Sequence, residues 1–243
     1  IIHFYCIISV DNSMKLRPVV MKLSKNTFKI LENFKDINQS ILFKQGNKLR
    51  TISVMKNILA EVTIEEEVPK DFGIYDLSQF LNGIDNLYHD PELDFANEGH
   101  VVIKEGKMRS KYFFADPNVI ITPPDKPIDL PSEDVTFTLS TDQLVKLLKA
   151  AAIYQLSDLS VVGEAGVVKV VVRDKKNDTS NIFSITVGET DKEFSFNFKV
   201  ENIKILPGTY EVVVSQKLLS RFRNTDKDLT YYIALEPDST FGT

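Results

Sequence analysis

The stretch V-I-I-T-P-P-D-K-P-I-D-L-P, Val119 to Pro131, decides how the rest of the chain is read. It holds Pro123, Pro124, Pro127 and Pro131, four of the ten prolines in the whole sequence. Each proline fixes φ and removes a backbone donor, so the run is neither a helix nor a central strand. It reads as an extended connector. The sequence on its two sides has one form. S-K-N-T-F-K-I-L-E-N-F-K-D-I-N-Q-S-I-L, Ser24 to Leu42, reads as an amphipathic helix running into a strand. S-T-D-Q-L-V-K-L-L-K-A-A-A-I-Y-Q-L-S-D-L, Ser140 to Leu159, has the same form. A shift of 117 residues (146 − 29) lays Lys29, Ile30 and Leu31 on Lys146, Leu147 and Leu148. A second pair, F-G-I-Y-D-L-S-Q-F-L from Phe72 and F-N-F-K-V-E-N-I-K-I from Phe196, sets a short strand, a helix and strands in the same order. Identities are few, and the order of elements points to a duplicated unit. The alternative is two unrelated α+β halves.

The length of 243 residues suits two ordinary domains. Hydrophobic content of 43% and charged content of 26% are those of a soluble globular protein. A single cysteine, Cys6, excludes an intramolecular disulfide framework and a cysteine-rich zinc site, and fits a reducing compartment. The net charge of −5 argues against a protein that grips nucleic acid over its whole surface, while leaving room for a locally basic face. The opening run I-I-H-F-Y-C-I-I-S-V is too short to span a membrane and lacks the preceding basic residues of a signal peptide. With Met14 and Met21 as candidate starts, residues 1–20 are expected to be an upstream extension without function.

Periodicity predicts a helix from Ser24 to Ile37, with Phe28, Leu31 and Phe34 on the apolar stripe and Lys25, Lys29, Glu32 and Asp36 opposite. Strands are expected at Ser40 to Lys44, Leu49 to Met55, Leu59 to Ile64 and Phe72 to Tyr75. Asp76 then caps a helix from Leu77 to Leu87. Strands at Glu92 to Ala96, His100 to Lys104 and Lys107 to Phe114 complete the first half, with Glu105-Gly106 a hairpin turn. The second half opens with a strand at Val135 to Leu139 and a helix to about Tyr154. Strands follow at Leu159 to Val162, Val167 to Arg173, Asn181 to Val187 and Glu193 to Phe198. A short helix Val200 to Ile205 stops at Pro207-Gly208. Tyr210 to Ser215 is a strand, Lys217 to Asp228 a basic loop, and Thr230 to Leu235 the last strand. Many antiparallel strands with four short helices make an α+β protein.

No phosphate-binding glycine loop, dinucleotide fingerprint, nucleophile elbow or zinc-helix motif occurs. His3, His89 and His100 are far apart. Asp90, Glu92 and Asp94 alternate but lack the glycine and terminal glutamate of a calcium loop, and Glu65 to Glu67 read as a solvated loop. No catalytic residue, metal ligand or cofactor is assigned, and the chain is not expected to be an enzyme. What stands out is positive charge on helices: Lys22, Lys25 and Lys29 with the first, Lys146 and Lys149 on the third, Lys199 and Lys204 beside the fourth. Lys217, Arg221 and Arg223 crowd the loop before the last strand. Lysines on one helix would be an ordinary solvated face. Equivalent lysines in both halves of a repeat point to one basic surface suited to phosphate contact without base reading.

Several segments resemble the DNA polymerase sliding clamps of T-even-type bacteriophages. They are M-K-L-S-K-N-T at Met21 to Thr27, I-Y-D-L-S-Q-F-L at Ile74 to Leu81, D-K-P-I-D-L-P at Asp125 to Pro131 and A-L-E-P-D-S-T at Ala234 to Thr240. L-L-K at Leu147 to Lys149 and the N-F…P-G-x-Y run from Asn197 to Tyr210 join them. The similarity runs collinearly through residues 21–243 and departs in residues 1–20 and the terminal F-G-T. It implies two similar clamp-type α+β domains, 21–118 and 134–243, joined by a connector at 119–133. Antiparallel sheets would lie outside, with two short helices per domain lining a ring of three subunits. The resemblance also implies the function. Such a homotrimer encircles duplex DNA irrespective of sequence, is loaded by an ATP-driven clamp loader, tethers the DNA polymerase and supports late transcription. It hydrolyses nothing and touches no membrane. The implied location is the cytoplasm of an infected bacterium.

On this resemblance the phosphate contacts are Lys22, Lys25, Lys29, Lys146, Lys149, Lys204, Arg221 and Arg223. The subunit joint pairs Met108 to Phe114 of one copy with Asn181 to Val187 of the next, with Phe113, Phe114, Ile182 and Phe183 as its apolar part. The pocket for a partner's peptide is formed by Ile120, Ile121 and Pro124 of the connector with Tyr232, Ala234, Leu235 and Pro237. Two rival readings stand beside it. A phage structural or scaffolding protein with duplicated domains would oligomerise without recognising a polymerase. A small-molecule enzyme would show a deep pocket with perturbed carboxylates.

Overall fold

The computed structural model describes residues 20–177 and 179–242, so most of the expected upstream extension, with Cys6 and His3, lies outside the described residues. Before the connector the chain forms β1 (Val20–Met21), α1 (Lys25–Ile37), β2 (Ile41–Phe43), β3 (Gly46–Ile52) and β4 (Ile58–Val68). β5 (Phe72–Ile74), α2 (Leu77–Leu87), β6 (Glu92–Asp94), β7 (His100–Glu105) and β8 (Met108–Phe113) follow. After it come β9 (Val135–Leu139), α3 (Thr141–Tyr154), β10 (Asp158–Glu164), β11 (Val167–Arg173) and β12 (Phe183–Glu189). β13 (Phe194–Lys199), β14 (Tyr210–Ser215), β15 (Leu219–Asn224), β16 (Leu229–Ala234) and β17 (Thr240–Phe241) end the chain.

The duplicated helix is present. Ser24 caps α1 by accepting the Thr27 N–H, and Ser140 with Gln143 forms a reciprocal capping box on α3. The 117-residue offset holds on the buried faces: Thr27, Ile30 and Phe34 correspond to Leu144, Leu147 and Ala151, all buried. Lys25, Lys29, Glu32 and Asp36 are exposed on the other side of α1.

Among the described residues every strand pairing is antiparallel. The sheets run β1-β6-β7-β8, β2-β5, β12-β11-β10-β13-β17 and β3-β4-β16-β15-β14-β9. The six-stranded sheet crosses the connector, pairing Ile58 to Val62 with Ile233 to Leu229. Above this seam, Tyr231 is fully buried. Its hydroxyl donates to Asn33 Oδ1 of α1 at 2.7 Å and accepts the Leu206 N–H at 3.2 Å. Asn33 Nδ2 in turn donates to the Lys204 carbonyl at 3.1 Å. Burial pushes the Tyr231 phenol well above its usual range, so it serves as a neutral hydroxyl throughout ordinary pH.

Three expectations are corrected. The fourth helix, predicted over Val200 to Ile205, is a single 3-10 turn at Val200–Asn202. Pro207 biases Leu206 toward extended backbone, and the Leu206 N–H and carbonyl go to the Tyr231 and Tyr210 hydroxyls rather than to a helix. The described residues therefore hold two α-helices before the connector and one after it, not two in each half. The basic loop predicted over Lys217 to Asp228 contains β15. Its core side is Ser220, Phe222 and Asn224, so polar letters hid the alternation. Ser220 donates to the Ile233 carbonyl, and Asn224 accepts the Asp226 and Lys227 N–H groups. Glu65 to Glu67, expected as a solvated loop, continue β4.

Tyr231→Phe would leave Asn33 Oδ1 and the Leu206 N–H without their buried partner. The expected cost is about 1–3 kcal/mol, seen as a lower urea midpoint with an unchanged slope. An unaltered midpoint would contradict the role given to this hydroxyl.

Candidate nucleic-acid interface

Because α1 packs on α2, their outer sides make one face. A groove of about 450 Å³ runs between them, with Phe28, Ile84 and Tyr88 among its walls and Lys25 and Lys29 at its rim. Lys25 and Lys29 have no ion-pair partner within 4.0 Å among the described residues. Lys22 differs, since its ammonium pairs with Asp90 at 2.5 Å just beyond α2. That hydrogen bond raises Lys22 above the usual lysine range and lowers Asp90 below the usual carboxylate range.

Lys204 comes from the far side of the connector yet joins the same face. Its ammonium donates to the Asp36 carbonyl at 2.8 Å, at the end of α1 where the helix dipole favours a cation. Five residues on, Thr209 meets Thr141 at the start of α3, hydroxyl to hydroxyl at 3.3 Å. The order across the surface is thus α2, α1, the Lys204–Thr209 segment, then α3. On α3 Lys146 forms an exposed pair with Asp142 at 2.7 Å, while Lys149 has no such partner among the described residues. The polar side of α2 offers Gln79, Asn82, Asp85 and Asn86 and no cation.

Arg221 and Arg223 do not join this face. In β15 they alternate with Ser220, Phe222 and Asn224. Phe222 is paired with Tyr231, whose hydroxyl reaches α1, so the arginines point to the opposite side of the sheet. There Arg221 pairs with Glu133 at 3.2 Å and Arg223 with Glu211.

Both strands expected at a subunit joint are outermost in their sheets: β8 in the four-stranded sheet and β12 in the five-stranded one. Phe113 is 71% exposed and Ile182 60% exposed. Phe114 instead turns inward against Phe72, ring centroids 5.1 Å apart, and Phe183 is half-buried against the core. Sequence reading missed three exposed apolar side chains on the accompanying helices. They are Leu87 on α2, which packs on β8 through Phe80 and Tyr112, and Ile153 and Tyr154 on α3, which packs on β12. Ile153 lies off the stripe of Leu144, Leu147, Leu148 and Ala151, and that signal was readable.

The expected peptide pocket is only partly assembled from the residues named for it. Tyr232 forms a small apolar cluster with Ile52 and Leu59 on the outer side of the six-stranded sheet, covered by Ile128 of the connector and by Leu219. Ile120 is buried elsewhere, so close to Gly73 that a Cβ there would stand 2.6 Å from its Cδ1. The Ile121 carbonyl accepts from Asn38, and the Pro124 carbonyl from Arg50 at 2.7 Å. Ala234 is half-buried and donates its N–H to the Asn57 carbonyl. Leu235 belongs to the main core, and Pro237 is exposed. Beside them the β3–β4 turn exposes Val54 and Met55. Both were expected inside a strand from Leu49 to Met55, but β3 ends at Ile52.

Among the described residues no helix is long and apolar enough to cross a membrane, and no group of three His, Cys, Asp or Glu side chains is gathered as for a metal ion.

Comparison with known proteins matches residues 22–122 to the family model described as DNA polymerase processivity factor. Residues 136–237 match the model described as gp45 sliding clamp, C terminal. The sliding clamp of Vibrio phage KVP40 is 33% identical over 89% of this chain and 99% of its own length. That of Escherichia phage RB69 is 31% identical over 90% and 99%. Among solved structures, A. fulgidus PCNA bound to the C-terminal region of FEN-1 superposes with a TM-score of 0.65. It shares 15% identity, covering 91% of this chain and 99% of that one, which is a likeness of fold.

Glu66 of β4 holds the start of α1. Its carboxylate accepts the Ser24 N–H, and the Thr27 hydroxyl at 2.6 Å. Burial raises this carboxyl, but the hydrogen bonds outweigh it and leave it below the usual glutamate range. Its stabilisation is complete above the unfolded value of about 4.3 and is lost as pH falls through the lower folded value. Urea unfolding between pH 7 and pH 3 should show Glu66→Gln less stable by about 1 kcal/mol at pH 7, converging on the parent in acid. Parallel profiles would refute this assignment.

Proposed function

The chain belongs to the sliding-clamp family of DNA polymerase processivity factors, and on that premise we propose that three copies close into a ring around duplex DNA and tether the replicative polymerase. The observation that carries the reading is the pairing of two features. Each half matches a clamp model, and each half carries a long, unsatisfied edge strand, β8 or β12. Head-to-tail joining of such edges is heterologous, and at 120° it closes as a trimer. The domains of the ring are residues 21–118 and 134–243.

DNA is held by topology, so the net charge of −5 is no obstacle. Lys25, Lys29, Lys204, Lys146 and Lys149 line the hole and make weak, salt-dependent phosphate contacts that permit sliding. Arg221, Arg223 and the paired Lys22 contribute less. The outer cluster around Tyr232, with Ile128 above it, takes a short apolar peptide from the polymerase, as the PCNA structure with a FEN-1 segment suggests. An ATP-driven loader opens the ring, late-transcription factors share the peptide site, the clamp hydrolyses nothing itself, and the setting is the cytoplasm of the infected host.

Light scattering after size exclusion, over a dilution series, is expected to give about three times 27.6 kDa, falling toward one chain on dilution. A monomer at every concentration, or a stable dimer, would refute the three-fold ring. Lys29→Glu with Lys149→Glu should leave that mass unchanged. It should weaken salt-sensitive association with linear duplex by about tenfold at 0.1 M salt. Tyr232→Ala should leave both properties intact and abolish processive synthesis by the phage polymerase. Retained processivity would move the peptide site elsewhere.

A further inference from the structure

The two edges that the proposed ring joins are polarised. Along β8, the outward side carries Arg109, Lys111 and then Phe113, with Lys107 in the preceding turn. Tyr112, on the other side of the strand, faces inward against Phe80. None of Lys107, Arg109 and Lys111 has an ion-pair partner within 4.0 Å among the described residues. The order along β12 is reversed in kind. Exposed Ile182 and half-buried Phe183 stand at its start, then Ser184 and Thr186, then Glu189 at its end and Asp191 in the following turn. Glu189 pairs in register with Val167, and Thr186 with Lys169, so both point to the outer side after the irregularity at Val187. Glu189 and Asp191 also lack a cation within 4.0 Å among the described residues.

Direction decides what these edges meet. A parallel joint would press Phe113 against Glu189 and set Lys107 beside Ile182. An antiparallel joint brings Phe113 to Ile182 and Phe183, and carries Lys107 and Arg109 to Glu189 and Asp191. Antiparallel pairing is also the better hydrogen-bonded ladder, and charge complementarity across a joint steers encounter and rejects wrong alignments.

Resting on the ring reading, we propose that Lys107 and Arg109 of one copy and Glu189 and Asp191 of the next form the latch that selects the joint and governs its closure. The aromatic end then persists at high salt, and the charged end loosens first.

Charge reversal in the full-length chain tests this. Arg109→Glu and Glu189→Arg, each alone, should weaken the trimer by about tenfold at 0.1 M salt, since each sets like charges together. The double variant R109E/E189R should recover the trimer, because every joint is again complementary. A mixture of the two single variants satisfies its joints by alternating, and a ring of three can alternate at only two of them, so the mixture should trimerise better than either variant alone and less well than the parent. If both single variants stay as trimeric as the parent, the latch is refuted and the ring stands. If the double variant stays dissociated while circular dichroism shows it folded, the pairing of these residues is refuted. A parent chain that is monomeric throughout would refute the ring itself, and the latch with it.

Discussion

The ladder between β4 and β16 makes two halves into one object. A connector rich in proline supplies neither helix nor strand, so it cannot fix one half against the other by itself. Backbone hydrogen bonds from Ile58–Val62 to Leu229–Ile233 do so, and they turn two separate edges into the middle of a six-stranded sheet. Tyr231 sits on the core side of that seam and Tyr232 on the outer side. One residue thereby anchors α1 through Asn33, and its neighbour builds the apolar cluster under the connector. Because successive strand residues face opposite ways, the helix face and the outer cluster are held in fixed relation by a single strand.

That relation separates the cations of the helix side from those of the outer sheet side. Three arginines on the outer sheet side, Arg50, Arg221 and Arg223, are matched by Glu61, Glu133 and Glu211, while among the described residues Lys48 of β3 is not. On the helix side, Lys25, Lys29 and Lys149 are left without carboxylate partners among the described residues. Charges that are paired locally contribute little at a distance, whereas unpaired ones set the field of the surface. A net charge of −5 therefore describes the whole molecule and not the side on which α1 and α3 lie.

How much of this was legible in the sequence depended on whether burial followed hydrophobicity. α1, α2 and α3 were readable, since Ile30, Leu31 and Phe34, Phe80 and Ile84, and Leu144 and Leu147 recur at helical spacing on their buried sides. The edge strands were readable from alternation. β15 was not, because Ser220 and Asn224 occupy buried positions and are satisfied by hydrogen bonds that only the fold supplies. The same holds for Glu66, which a run of three glutamates disguised as a solvated loop. Lys204 was not legible by its structure: the helix expected beside it is a single turn, and its ammonium reaches the end of α1 across the chain's midpoint. Arg221 and Arg223 were misplaced for the same reason as β15, since without the strand there was no alternation to send them outward.

The walls of the outer cluster are held by polar contacts rather than by a deep apolar core. On the connector side, the carbonyls of Ile121 and Pro124 accept from Asn38 and Arg50. On the other side, the chain beyond Leu235 is bound to β13. Asn197 accepts the Glu236 N–H on its carbonyl and donates its own N–H to Ser239, and its side chain donates to Asp238. Lys175 pairs with Asp238 and lies 3.9 Å from Asp158, a nearly fully buried carboxylate that Lys199 also contacts at 2.6 Å. Burial raises the Asp158 carboxyl, but its hydrogen bonds, that from Lys199 first, hold it below the usual range. Buried ion pairs of this kind add little net stability, but removing one partner strands the other, so they favour one arrangement of the chain over its neighbours. In the proposed peptide site, Tyr232 and Ala234 are therefore in place beforehand, and the ordering cost that would otherwise weaken binding is met in folding.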